Sequence, residues 1–393
     1  MFFRIAISLI LVTSLFAGGT ALAGAKVYVS GYDNAIRVYD QQTGIEEAII
    51  AMNGNSPDNL FVHPSGDYLF TTTYTGSNLG YKIVKIDVAQ NIQIQEATLT
   101  TSGPHVRETT YSPMGDRAYF FQQPSNSAPP SPVYIFDLNT MTLDSEIPMD
   151  FDVQSMTISP NGGELFIMGT NGTLRVIDTA TLQVIVEGDL GAGTDIQAMH
   201  PSGDVFYVNR QGNFQPVNTS TLEILPSIAA SAFMGAVASE EYLFINRINM
   251  IDIINVDDYS LLSTIDGAQF GWGWGWVKTM AFDLSAQKLS LVGTDMVSVE
   301  SSLVIIDIPT LVIEHNVPAV DLPINMAVKP DTVNLTLQVQ RMDATTVQCS
   351  NNTTGQVVQI TPQPTENAWN CEAHGLLVQP GDEVNINVIG AAQ

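Results

Sequence analysis

The chain has 393 residues, 45% of them hydrophobic, enough for one large core and a smaller one. Only 14% are charged, yet the formal net charge is -26, so Lys and Arg are scarce rather than acids abundant. That balance argues against nucleic acid and anionic membrane as partners, because both reward clustered basic residues, and it suits a cationic partner or simple solubility outside a cell.

Residues 1–23 read as a secretory signal peptide. Arg4 supplies the positive start, Ile5 to Phe16 an apolar stretch too short to span a bilayer, and Ala21-Leu22-Ala23 a small-x-small cleavage site. The expectation is a mature chain from about Gly24, periplasmic or secreted, with no membrane insertion after cleavage. In such an oxidising setting Cys349 and Cys371 are expected to form a disulfide.

From residue 26 a short aliphatic run repeatedly ends in Asp or Asn, with an apolar residue four or five positions later. The expected anchors are Asp40, Asp87, Asp137, Asp178, Asn218, Asp257 and Asp307, in phrases such as RVYDQQTGI, RVIDTATL and VIIDIPTL. A second phrase precedes most of them: FVHPSGDYLF, TYSPMGDRAYF, TISPNGGELFI and AMHPSGDVFYV. In its Pro-x-Gly core, Pro presets φ and Gly takes the positive φ that closes a hairpin, while apolar runs on both sides read as strands. The anchors read as Asx turns, and the Thr three residues after Asp40, Asp137, Asp178 and Asp307 reads as the β-branched start of the next strand.

Strand runs recurring every 40–50 residues point to a β-propeller. Each unit is four strands, A to D, with the Pro-x-Gly turn between A and B and the Asp turn between C and D. Six complete units are expected, their A strands starting near Asn59, Val106, Val153, Ile196, Phe233 and Val277. Residues 26–50 supply B, C and D without an A strand, and residues 323–330 (PINMAVKP) supply an A strand alone. Together they make a seventh blade that closes the ring and removes exposed edges. The wording VYVSGYDNAIRVYD and the S/H-P-x-G-D turns resemble the YVTN or YncE-type propellers, an exported bacterial family of seven-bladed repeat proteins. The resemblance covers residues 26–330 and implies the fold, hardly any activity.

After Pro330 the pattern changes. Five short strands separated by Asn, Pro and Gly clusters predict a small β-sandwich over residues 331–393, steadied by the disulfide. The expected architecture is therefore all-β: a seven-bladed propeller over 24–330 and a small sandwich.

The two repeated turns must share one face of the disc, so the D-to-A and B-to-C connections gather on the other, around the channel mouth. The longest B-to-C loops are Tyr74 to Tyr81, Gln122 to Pro132 and Gly293 to Ser302. The starts of the A strands are more polar than a core requires: Asp58, Asn59, His105, Arg107, Glu108, Asp152, Gln154, Asp195, Gln197, Lys278 and Asn325. His105 with Glu108 or Asp58 could act as an acid–base pair, and Arg107 and Lys278 could hold an anion. A hydrated channel without substrate explains the same polarity. His63 and His200 sit in the repeated turn and read as structural. The segment Phe270-Gly-Trp-Gly-Trp-Gly-Trp276 sets Trp272, Trp274 and Trp276 on one side if extended, either as a stacking or partner surface or as a plug between blades.

No G-x-S-x-G, H-E-x-x-H, EF-hand, P-loop or C-x-x-C-H pattern occurs, so the sequence calls for no metal or other cofactor. The reading is a non-catalytic exported binding protein whose loop face engages a protein partner or a small polar ligand. Two alternatives stay open: a subunit of a periplasmic oxidoreductase of the amine-dehydrogenase kind, or a lactonase- or lyase-type enzyme using His105 and nearby acids.

Overall fold

The computed structural model describes residues 25–53, 56–74, 80–100, 106–122, 130–228, 233–247, 250–271, 275–283, 286–295, 300–319 and 323–329, then strand segments within 336–390. The first 24 residues lie outside it, as do His105, Trp272, Trp274, Cys371 and the side chains of Arg107, Trp276, Lys278 and Cys349. The signal peptide, the disulfide and the tryptophan surface therefore fall outside the described residues.

Residues 25–329 form seven antiparallel sheets arranged as a propeller. Six follow one another in the chain, with inner strands Ser56–Val62, Val106–Tyr111, Val153–Ile158, Thr194–Met199, Phe233–Ala238 and Gly275–Asp283; we number these blades one to six. In the seventh, Pro323–Lys329 pairs with Lys26–Gly31, which continues into Ala35–Asp40 and Glu46–Ala51. The expected closure is thus observed, with Val27 opposite Val328 and Tyr28 opposite Ala327. Each inner strand touches the next, from Pro323–Lys329 through blade six and back, so the ring is complete. The core lies between blades, where aliphatic and aromatic side chains from facing sheets interdigitate, as in the cluster of Phe121, Ile135, Met156, Leu165 and Ile167 between blades two and three.

The Asx turns are present and more uniform than the sequence suggested. Asp178 Oδ1 accepts the Ala180 N–H at 3.1 Å, the Thr181 N–H at 2.7 Å and the Thr181 hydroxyl at 2.8 Å. Asn218 is bonded alike, while Asp40 and Asp307 accept from the amide and hydroxyl of the Thr three residues on. The Thr is therefore part of the turn, its hydroxyl donating back to the anchor. One anchor differs from expectation. In blade five the strand Met250–Asn255 ends two residues earlier, and Asn255 Oδ1 accepts from Asp257 N at 2.8 Å, so Asn255 replaces Asp257 as the cap.

Counting four residues on from the anchors reaches Gly44, Asn91, Met141, Leu182, Leu222, Tyr259 and Leu311, all with φ between 54° and 68°. This left-handed residue carries the chain into a bulged D strand, a conformation costly for Leu, Met and Tyr.

Both repeated turns do share a face. In blades one to six the residue after the anchor donates its N–H to the A–B turn of the same blade: Val88 to Asp67, Leu138 to Asp116, Thr179 to Gly163, Thr219 to Asp204, Val256 to Glu241 and Ile308 to Gln287. The Pro-x-Gly glycines take φ of 72–79° at Gly66, Gly115, Gly162 and Gly203. At Gly115 the absence of a side chain is also steric, because a Cβ there would lie 2.4 Å from the His63 ring of the preceding blade. His63 and His200 are turn residues: each Nδ1 accepts the N–H two residues on at 3.1 Å.

Blade four departs from the four-strand pattern. Its sheet has three strands, and the fourth position is held by isolated bridges, Val217 to Ile224 and Phe214 to Ile228. Pro216 explains this. Its carbonyl accepts from Leu225 N, so its nitrogen faces the same edge and has no hydrogen to donate; Pro226 adds a second gap.

Beyond the ring, Thr336–Gln338 pairs with Ala368–Asn370, and Ala344–Asn351 lies between Gln356–Ile360 and Val384–Gly390. These are the five expected strands, in a two-stranded and a three-stranded sheet.

Candidate functional site

Every inner strand of the ring carries a register shift near its start. Two residues of the inner strand face one of its neighbour between Pro57 and Leu60, Val106 and Glu108, Val153 and Ser155, Ile196 and Ala198, Phe233 and Gly235, and Val277 and Thr279. The closing strand shifts between Pro323 and Asn325. A bulge frees one residue from the ladder and turns its side chain away from the sheet. The freed positions are Asp58 with Asn59, Arg107, Gln154, Gln197, Met234, Lys278 and Ile324; among the described side chains there, Asp58, Asn59, Gln154 and Gln197 are all polar. The ring of bulges lies at the end opposite the repeated turns, where the D-to-A connections arrive; Thr170 N donating to Asp152 O at 2.9 Å ties one of these to its blade.

Around the junction of the closing blade with blade one, the candidates meet. Ser30 Oγ lies 3.2 Å from Asn325 O and 3.4 Å from Asp58 O, and accepts the Asn325 N–H at 3.1 Å. Asn325 Nδ2 reaches Asn59 Oδ1 at 3.4 Å, while its own Oδ1 takes the Met326 N–H at 2.7 Å. Asn325 thus joins the closing strand to blade one. The Asp58 carboxyl is held above the usual carboxylate range because burial removes water from its charged form. Further round, Gln197 Nε2 donates to Asp195 Oδ2 at 2.9 Å, and Glu108 Oε1 lies 3.5 Å from Met156 N, linking blades two and three. Asp152 and Gln154 stand half-buried on blade three, two blades away from Asp58. The proposed His105 pairing lies outside the described residues. Among the described residues no three His, Cys, Asp or Glu side chains converge as a metal site, and no helix is long and apolar enough to cross a membrane.

Sequence reading missed the aromatic and hydroxyl groups beside Asp58. Tyr81 is raised to about 12 by burial, with Asp58 adding to the effect, and Tyr111 moves in the same direction for the same reasons. Phe61 stacks on Tyr111 at 4.6 Å between centroids, and Tyr74 lies 5.3 Å from Tyr81. The signal was alternation: in Val106–Tyr111, Thr109 and Tyr111 fall on one face.

These features define an all-β ring with a polar mouth. No family model matches the chain, and no curated protein does. Among solved structures it is similar to the dihydro-heme d1 dehydrogenase NirN in complex with DHE, at 12% identity and a TM-score of 0.52, over 80% of this chain and 77% of that one. A likeness at that identity concerns the fold, and it agrees with the propeller described above.

Proposed function

We propose that the protein is a non-catalytic propeller that binds a small polar ligand at the bulged mouth of its ring. The observation that carries this reading is the bulge in all seven inner strands, which lifts polar residues out of the ladder at one end of the channel. Repetition alone would serve the fold, but the repeated bulges bear different residues: Asp58, Arg107, Gln154, Gln197 and Lys278. Variable side chains on a constant frame are what recognition needs. Export to the periplasm or beyond belongs to the same proposal, resting on residues 1–23. A protein partner at this face is the related reading, since the strand Gly275–Asp283 starts there and the sequence before it holds Trp272 and Trp274.

The oxidoreductase alternative gains some support from the name of the NirN neighbour, and the absorption spectrum of protein purified from its natural host separates the two. The binding reading predicts no visible chromophore and thermal stabilisation by one class in a panel of amines, sugars, sugar acids, lactones and divalent metals. Stabilisation by none of them, with a bound chromophore present, would overturn it.

A further inference from the structure

Blades four and five carry the same phrase on their second strands, yet treat its last residue differently. Val205–Arg210 reads VFYVNR and Tyr242–Arg247 reads YLFINR, so Arg210 and Arg247 close equivalent strands at the mouth. The register to the third strand is the same as well. Arg210 lies opposite Asn213 and Val208 opposite Gln215, just as Arg247 lies opposite Met250 and Ile245 opposite Asp252. In blade five the arginine finds its counter-ion inside its own blade: Arg247 Nη2 meets Asp252 Oδ1 at 2.6 Å, and the Thr264 hydroxyl donates to the same oxygen at 2.8 Å. In blade four that place on the third strand belongs to Gln215, which is uncharged.

Arg210 is held in place without being neutralised. Its Nε donates to Leu190 O at 2.6 Å, on the connection from blade three, and its two amino nitrogens have no partner among the described residues. The nearby acids are turned elsewhere. Asp195 lies opposite Asn209, so alternation puts it on the other face of the sheet, where its Oδ2 accepts from Gln197; Asp189 Oδ1 takes the Gly191 N–H at 2.8 Å. The chain has 40 Asp and Glu to 14 Lys and Arg, and Lys26, Arg37, Lys82, Arg175, Arg247 and Lys288 each meet a carboxylate. An arginine left without one is a departure in such a chain. Arg210 is half-buried, and the loop beside it is bare: a Cβ at Gly191 would lie 3.7 Å from its Nη2, and one at Gly193 would meet nothing within 4 Å. A solute at the mouth can therefore reach the guanidinium.

We propose that Arg210 anchors the carboxylate of a small organic acid at the mouth, the acid bringing to blade four the group that Asp252 supplies in blade five. The inference rests on the mouth-binding reading and names its ligand class. The two amino nitrogens of a guanidinium present parallel N–H bonds that match both oxygens of a carboxylate, which neither a neutral sugar nor an amine can accept in that way. The bond from Nε to Leu190 O already orders the side chain, so less freedom is lost when the acid binds.

The test is calorimetry and thermal shift on the purified full chain with sodium D-glucuronate, sodium propionate, D-glucose and n-propylammonium chloride at matched ionic strength. Binding of both carboxylates and of neither other compound is expected, weakened at least about tenfold in Arg210→Gln. Gln215→Asp copies blade five and gives Arg210 a counter-ion of its own, so it should fold normally and weaken binding as strongly. Undiminished carboxylate binding in either variant, or an equal response to glucuronate and glucose, would overturn the assignment. A response to glucose or n-propylammonium without one to either carboxylate would sink this inference while leaving the mouth reading intact. Silence from all four compounds and from the wider panel would count against both.

Discussion

A side-chain carboxylate or amide oxygen that accepts one or two backbone N–H groups fixes each outer hairpin, and such local geometry has measurable weight. Asn255→Ala should destabilise by about 1 kcal/mol through loss of the turn's acceptor, whereas Asp257→Ala should stay within about 0.5 kcal/mol of wild type. Chemical denaturation of the two variants settles which residue is the anchor. Leu311 is 42% exposed and holds φ of 55°, so Leu311→Gly should raise stability by up to about 1 kcal/mol as left-handed strain is relieved. A lower melting temperature would mean that its packing outweighs the strain. His63 titrates below its usual value, mainly through burial and secondarily through the nearby Lys85. Because its folded pKa is depressed, the stability it contributes is fully present above about pH 6.5 and is lost as pH falls toward and through the folded value. His63→Gln should flatten that part of the stability profile; an unchanged acid limb would exclude His63 as its source.

At the level of strands and turns, the repeats were legible because each turn needs particular chemistry. Gly66, Gly115, Gly162 and Gly203 all adopt the positive φ that their Pro-x-Gly phrase demands. The closing blade was legible from what each end lacked. Asn255 was hidden because the run INVDD offers an Asp that looks like its neighbours, and only backbone register shows where the strand stops. The bulges were hidden too, since an extra residue in an inner strand leaves alternation unreadable for one step. Asp58 could be picked out as polar, but Tyr81 and Tyr111 read as ordinary strand residues until two blades were brought together. Blade four carries the weakest edge. Hydrogen exchange at Glu223 to Ile228 should be faster than at Val184–Asp189 of blade three, and Pro216→Thr should narrow the gap by restoring a donor. Equal protection in the parent protein would contradict the proline account.

For the molecule as a whole, closure by Pro323–Lys329 joins the two ends of the ring across Lys26–Gly31. Removing residues 323–393 should leave an open strand edge and a protein that self-associates, measurable by light scattering. The likeness to NirN shows how far architecture alone can be shared at 12% identity, so the proposed binding at the mouth has to be tested on this chain itself. Hydrogen exchange, with and without the panel compound that most raises the melting temperature, tests that claim most directly. Protection is expected at the bulged starts of Ser56–Val62, Val106–Tyr111 and Val153–Ile158. Protection confined instead to the turn face at residues 63–67, 112–116 and 159–163, or to the strands beyond residue 335, would contradict the account.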